Sequence, residues 1–268
     1  MHWLILMRQK PKPSVALPTA EASRLWNLYG FESSSDLVLE DLAMALGVVV
    51  LDDDLKSADA WLVRKGDNGI IRVSNTIAEA GRRRFAVAHE LGHWSLHKSV
   101  TQLMSCTSAD MLARYKTSPP ELEANTFAAE LLMPRHLFLP ALKQSRPTSH
   151  FINELAVQFG TTRTSTAYRI ADVTEDYFAL VMSKDGVIKW WQASEALKDL
   201  IWIDAGEEVP RHSVAAQFFN GEALPNNPEK VDLDDWISEN KGLDAEYFYE
   251  DVIPMPVYGQ ALSLLWLE

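Results

Sequence analysis

An α+β fold is predicted for this 268-residue chain on three observations. Helical spacing of apolar residues in the early segments gives way to short runs of strand character, "VVVLDD" and "AWLVRKGDNGIIRVS". Two long helical patterns follow, and a further pair of helical segments flanks Gly160. After Tyr177 the sequence turns to strands and turns. The expected divisions are a lead-in and helix over 1–35, a principal domain over 36–145, a helix-turn-helix-like segment over 146–175 and a smaller α+β region over 176–268.

In chain order, "RQKPKPSVALP" is rich in proline and lysine and reads as a loosely ordered lead-in. "ASRLWNLYG" reads as a helix ending on Gly30. "SSSDLVLEDLAMALG" offers serine N-caps, places Leu39, Leu42, Ala43 and Leu46 on one face and ends on Gly47. The strands come next, two of them joined by a turn at Gly66-Asp67-Asn68-Gly69. From Ile77 to about Lys98 the pattern is helical, with Phe85, Ala88, Leu91 and Leu96 as apolar members. A loop through "SVTQLMSCTSAD" and a short helix lead to "TSPPELEANTFAAELLMP", where Pro120 suits a first helical turn and Pro134 ends the helix. "FINELAVQFGTTRTSTAYRIADV" has the spacing of a helix-turn-helix. "YFALVMSKDGVIKWWQ" reads as a hairpin turning at Lys184-Asp185-Gly186, and "IPMPVYGQALSLLWLE" as a turn and a last strand.

Composition narrows the function classes. A formal net charge of -12 repels a phosphate backbone, so binding to nucleic acid requires a local basic patch. The concentrated one is Arg82, Arg83 and Arg84, a run more typical of a solvated helix edge. The apolar run Trp3 to Met7 is far short of the ~20 residues that span a bilayer, and no signal-peptide pattern surrounds it. A cytosolic protein without a membrane partner is expected. Cys106, the single cysteine, agrees, since it can form no intrachain disulfide.

The chemistry concentrates in "RRRFAVAHELGHWSLHK". His89 and His93 stand one helical turn apart and can point both imidazoles at one metal ion, with Glu90 beside them and able to reach water on that ion. His97 continues the row, but eight residues of helix carry it about 12 Å from His89, too far to share the ion. It is expected to be a helix-terminal residue, where a cation is favoured.

A third ligand must come from elsewhere, and a carboxylate is the usual complement to two histidines on zinc. The second long helix offers Glu121, Glu123 and Glu130. At about 100° per residue, Glu121 shares a face with Ala124, Asn125, Ala128 and Leu132, a small-residue stripe that lets another helix approach. Glu121 is the preferred ligand and Glu123 the alternative. Asn125 reads equally well as a residue orienting a histidine ligand and as a satisfied core polar group. Three protein ligands leave a fourth position for water, which zinc acidifies to a pKa near ~7, and Glu90 can act as general base in attack on a peptide carbonyl. Tyr115 and His136 have chemistry suited to stabilising an oxyanion, and neither is assigned. If the strand Ile70 to Ser74 is a sheet edge over the metal, an extended peptide can pair with it.

The motifs "RRRFAVAHELGHWSLH" and "ELEANTFAAELLMP", with "DLAMALGVVV" upstream, resemble the ImmA/IrrE family of zinc metallopeptidases over roughly residues 36 to 170. The resemblance implies a zincin-like domain holding one zinc ion through His89, His93 and Glu121, with Glu90 catalytic. It also implies a protein partner, since members of that family cleave a helix-turn-helix repressor, often of the Xre type, and so switch on stress, DNA-damage or mobile-element genes. The best-known radiation-response member carries a larger C-terminal sensor-like domain than the roughly ninety residues that follow here.

Other readings compete with these. Arg163 and Arg169 on the second helix of the helix-turn-helix-like segment are too few for operator binding, so packing or partner docking is expected there and direct DNA binding is not. The tryptophans Trp190, Trp191, Trp202, Trp236 and Trp266 are expected in a core. Asp232, Asp234 and Asp235 are expected in a solvated loop. A non-catalytic regulatory or antitoxin-like module on the same fold is the chief alternative to a narrow-specificity endopeptidase, and a broad digestive protease is a third reading.

Overall fold

The computed structural model describes residues 16–56, 58–97, 104–106 and 118–267, with 104–106 in backbone only. The lead-in before residue 16, the short helix expected ahead of "TSPPELEAN", and Tyr115 lie outside them. The chain divides into two compact units, Met1–Pro134 and Arg135–Glu268. The division thus falls after Pro134, whereas composition placed boundaries after 145 and 175. Among the described residues no helix is long and apolar enough to cross a membrane.

The first unit opens with α1 (Ala16–Tyr29), which buries Ala22, Leu25 and Trp26. The helix ends where Gly30 takes a φ of 67°. The helix expected from the serines onward is shorter: a 3-10 turn at Ser34–Asp36 precedes α2 (Leu39–Ala45). Asp36 is the reason. Its carboxylate accepts from the backbone N–H groups of Glu32 and Ser33, at 2.9 and 2.7 Å, so the serine stretch closes its own turn instead of capping the helix.

A four-stranded sheet follows, built from β1 (Val48–Asp53), β2 (Ala60–Lys65), β3 (Asn68–Ser74) and β4 (Met104–Cys106) in the order β1-β3-β2-β4. β1 and β3 run parallel, and the other neighbours are antiparallel. The hairpin between β2 and β3 turns on Gly66 and Asp67, with Gly66 at φ 61°. β3 is therefore a central strand, not the edge proposed for peptide pairing, because β1 and β2 saturate both its sides. The edges are β1 and β4.

Behind the sheet runs α3 (Ala80–Leu96), in which every residue from Ala86 to Trp94 is buried. An amphipathic pattern would leave one face wet. Here the sheet covers one side and α4 (Pro119–Leu132) the other, so the polar residues on α3 are enclosed as well. α4 starts on Pro119 and Pro120 and is also tied to α1, whose Trp26 indole N–H donates to the Leu131 carbonyl at 2.9 Å. Gly92 lets α3 lie close against α4: a Cβ there would lie 3.0 Å from the Ala124 Cα and 3.2 Å from its carbonyl oxygen.

The second unit begins with α5 (Arg135–Leu142), α6 (Ser149–Phe159) and α7 (Arg163–Val173). Thr148 and Thr162 cap α6 and α7 by accepting from the Phe151 and Ser165 N–H groups, and Gly160 turns the chain between them at φ 62°. α7 packs on the hairpin of β5 (Phe178–Lys184) and β6 (Val187–Ala193), where Tyr168 stacks on Trp190 with centroids 5.0 Å apart. Asp185 and Gly186 both adopt positive φ at that hairpin's tip, as its tight turn requires.

A small pair, β7 (Ile201–Trp202) with β9 (Glu239–Asn240), lies beside α8 (Val214–Phe219), β8 (Glu229–Asp232) and α9 (Leu233–Trp236) in sequence. β10 (Tyr247–Met255) and β11 (Gln260–Trp266) complete an antiparallel sheet in the order β6-β5-β11-β10-β8. Trp236 and Trp266 are core residues as expected, whereas Trp202 is 49% exposed and meets Trp191 edge-on. The acidic run is not a loop: Asp232 caps α9 by accepting from the Asp234 N–H at 3.0 Å.

Candidate metal centre

The close approach of α3 and α4 sets the geometry of the site. His89 and His93 project from one face of α3, with ring centroids 4.7 Å apart, toward Glu121 in the first turn of α4. His89 Nε2 lies 3.1 Å from Glu121 Oε2, His93 Nε2 lies 3.4 Å from Glu121 Oε1, and the two Nε2 atoms are 3.0 Å apart. Asn125, one turn along α4, accepts from His89 Nδ1 at 2.8 Å. That bond puts the hydrogen on Nδ1 and leaves the Nε2 lone pair facing the carboxylate. Asn125 is thus the partner of a site histidine as well as a buried polar residue.

These separations suit a metal. Bonds of 2.0–2.1 Å around a tetrahedral ion place neighbouring ligand atoms about 3.3 Å apart, close to the three distances found. One donor atom from each of His89, His93 and Glu121 lies within 4.8 Å of the others, so the cluster can hold a metal ion. Two imidazoles and one carboxylate also leave a tetrahedral position open, unlike the closed four-residue cages of structural zinc.

The electrostatics point the same way. Burial penalises the Glu121 carboxylate, yet the His89 and His93 rings beside it hold its pKa far below the usual carboxylate range. Burial also opposes charge on both imidazoles. It prevails for His93, whose pKa is lowered, while Glu121, Glu90 and Asn125 outweigh it at His89 and raise that ring. Anionic Glu121 is therefore favoured at neutral pH. Glu90, wholly buried next to His89, adds a second carboxylate to the same enclosure.

Glu121, and not Glu123, is the carboxylate brought to both rings. Glu123 lies 3.0 Å from His97 Nε2, and His97 Nδ1 in turn stands 3.0 Å from His93 Nδ1. His97 does end the helix, as its C-cap, but its ring reaches back to the site. The i,i+4 spacing from His93 was the available signal. His136 belongs to the second unit.

Two of the three arginines in the run are neutralised within the first unit. Arg82 makes a two-pronged pair with Asp59, at 2.9 and 2.7 Å, and Arg83 bridges Glu40 and Asp52. Arg84 is half-buried and directs one N–H toward the Leu37 carbonyl. In the second unit Arg169 is only 7% exposed, so of the two arginines considered for DNA contact Arg163 alone faces solvent.

Residues 43–171 match the M78 peptidase family model, described as an IrrE N-terminal-like domain. Among solved structures, a Mycobacterium tuberculosis transcriptional regulator is similar, with a TM-score of 0.60 at 17% identity over 93% of this chain and 76% of that chain. At that identity the likeness is one of fold. Comparison with curated proteins finds no match.

Proposed function

We propose that this chain, whose residues 43–171 match the IrrE N-terminal-like peptidase model, is a zinc-dependent endopeptidase of the ImmA/IrrE type, of narrow specificity and acting on a regulatory protein in the cytosol. The observation that carries this reading is the convergence of His89 Nε2, His93 Nε2 and the Glu121 carboxylate to separations of 3.0 to 3.4 Å, with Glu90 adjoining. Two imidazoles and a carboxylate favour zinc among the common divalent ions. The family resemblance suggests the substrate class, a helix-turn-helix repressor of the Xre type. The similar fold of a protein described as a transcriptional regulator fits that setting.

In this reading His89, His93 and Glu121 hold zinc, which supplies Lewis-acid polarisation of a peptide carbonyl and of water. Asn125 keeps His89 in the tautomer that presents Nε2. Glu90 takes the proton of the attacking water and returns it to the amide nitrogen as the C–N bond breaks. Burial of His89, Glu90 and His93 strengthens each of these charge interactions by limiting water.

The rival reading is a non-catalytic regulatory or antitoxin-like module on the same fold. The experiment that separates them uses Glu90→Gln, which keeps the shape of the site and removes the base. The variant is used to capture a partner from the source cells, and wild-type protein with zinc is then added while the partner's intact mass is followed. A single cut, absent with Glu90→Gln and with chelator, is expected. Stable binding by zinc-loaded wild type without any cut supports the rival.

A further inference from the structure

His97 and Glu123 stand outside the three-donor cluster, yet both are joined to it through one ring. His93 Nδ1 lies 3.0 Å from His97 Nδ1, and His97 Nε2 lies 3.0 Å from Glu123 Oε2. Two facing imidazole nitrogens at that distance form a hydrogen bond only if one donates and the other accepts. A carboxylate only accepts, so Glu123 calls for the hydrogen of His97 on Nε2. Neutral His97 then presents an Nδ1 lone pair, His93 Nδ1–H donates to it, and the His93 Nε2 lone pair faces Glu121 and His89.

We propose that His97 and Glu123 form a relay that fixes the tautomer and ring orientation of His93, making them positioning residues of the metal centre. The inference deepens the metallopeptidase reading and rests on its metal. The arrangement is asymmetric. His89 is oriented in one step by the neutral amide of Asn125, and His93 in two steps ending on a carboxylate.

Three features support the relay over a chance contact. Histidine ligands usually donate their outer N–H to a carboxylate, carbonyl or water, and no other arrangement is needed here to satisfy His93 Nδ1. His97 is held at the end of α3, where its backbone N–H donates to the His93 carbonyl at 3.0 Å, which fixes the point from which its ring reaches His93. The His97 and Glu123 side chains are only 10% and 19% exposed, which limits competition from water.

The test is the zinc affinity of the full chain, measured by competition with a chromophoric chelator, for wild type, His97→Leu, Glu123→Leu, their double variant and His97→Asn. Each leucine variant is expected to bind zinc about 10- to 100-fold more weakly. The double variant is expected to be no worse than His97→Leu alone, because Glu123 acts only through His97. His97→Asn places an amide oxygen where Nδ1 stood and is expected to recover most of the affinity. The cobalt-substituted absorption spectrum should change in His97→Leu and return toward wild type in His97→Asn. Zinc affinity unchanged in leucine variants that circular dichroism shows to be folded overturns the relay, as do losses in the double variant that simply add. Wild-type protein that takes up no zinc overturns the metal reading itself.

Discussion

Asn125 illustrates how a single buried side chain can serve both packing and chemistry. It is 3% exposed, and its carbonyl oxygen accepts from a site histidine. Asn125→Leu should fill similar volume but leave His89 Nδ1–H without its acceptor. Zinc affinity is expected to fall about 10- to 100-fold, read by chelator competition, with Asn125→Asp retaining most of it. If Asn125→Leu binds zinc as wild type does, Asn125 is only a core polar residue. Helical phase on α4 favoured Glu121 over Glu123, because Glu121 lies on the small-residue face that suits a neighbouring helix, but it left Glu123 open. The contact between His97 and Glu123 was not legible, since it depends on how far the two helices are offset along their axes.

At the scale of elements, the site exists because α3 and α4 approach closely, and Gly92 permits that approach. Two effects compete in Gly92→Ala. Alanine gains about 1 kcal/mol of helix propensity over glycine, while overpacking costs about 1–3 kcal/mol. The new Cβ would meet backbone atoms of Ala124 at 3.0 and 3.2 Å, which cannot turn aside as a side-chain tip can. Net destabilisation is therefore expected, seen as a lower denaturant midpoint together with weaker zinc binding. A midpoint raised by the substitution would show that the helices can spread. Strand character was readable for β3, but its central place was not, because neighbours in a sheet are chosen by long-range pairing. α7 likewise has the sequence of a second helix in a helix-turn-helix, yet β5 and β6 cover the face that carries Tyr168.

At the scale of the molecule, stability should respond to both metal and pH. Zinc binding only the folded chain adds about 4 kcal/mol when free zinc is 1,000 times Kd, so chelation is expected to lower Tm in wild type and not in Glu121→Ala. In the second unit, burial pushes the Glu250 carboxyl up to about 7 despite N–H donors from Val214, Ala215 and Trp236 and the Ser263 hydroxyl. A carboxyl raised in the folded state binds its proton more tightly there than in the unfolded chain. Its contribution is complete below the ordinary glutamate pKa of about 4.3 and is lost as pH rises through 7, amounting to about 4 kcal/mol across that window. Unfolding midpoints of wild type should therefore fall more between pH 5 and pH 8 than those of Glu250→Gln. Equal falls would show that Glu250 is ionised throughout.

The local features were settled by sequence alone. The hairpin turns at Gly66 and Gly186, the capped helices on either side of Gly160, and the one-turn spacing of His89 and His93 all follow from backbone preferences and helical period acting over a few residues. The family resemblance was legible for the same reason, because two short motifs carry it, and residues 43–171 match that family's model. Only the tertiary structure decided that Glu121 meets the two rings, that His97 and Glu123 stand behind His93, that β3 is interior and that Arg82 and Arg83 are neutralised by Asp59, Glu40 and Asp52. Each of these depends on contacts between residues far apart in the chain, whose offsets are set by how whole elements pack and not by the propensities of the residues themselves.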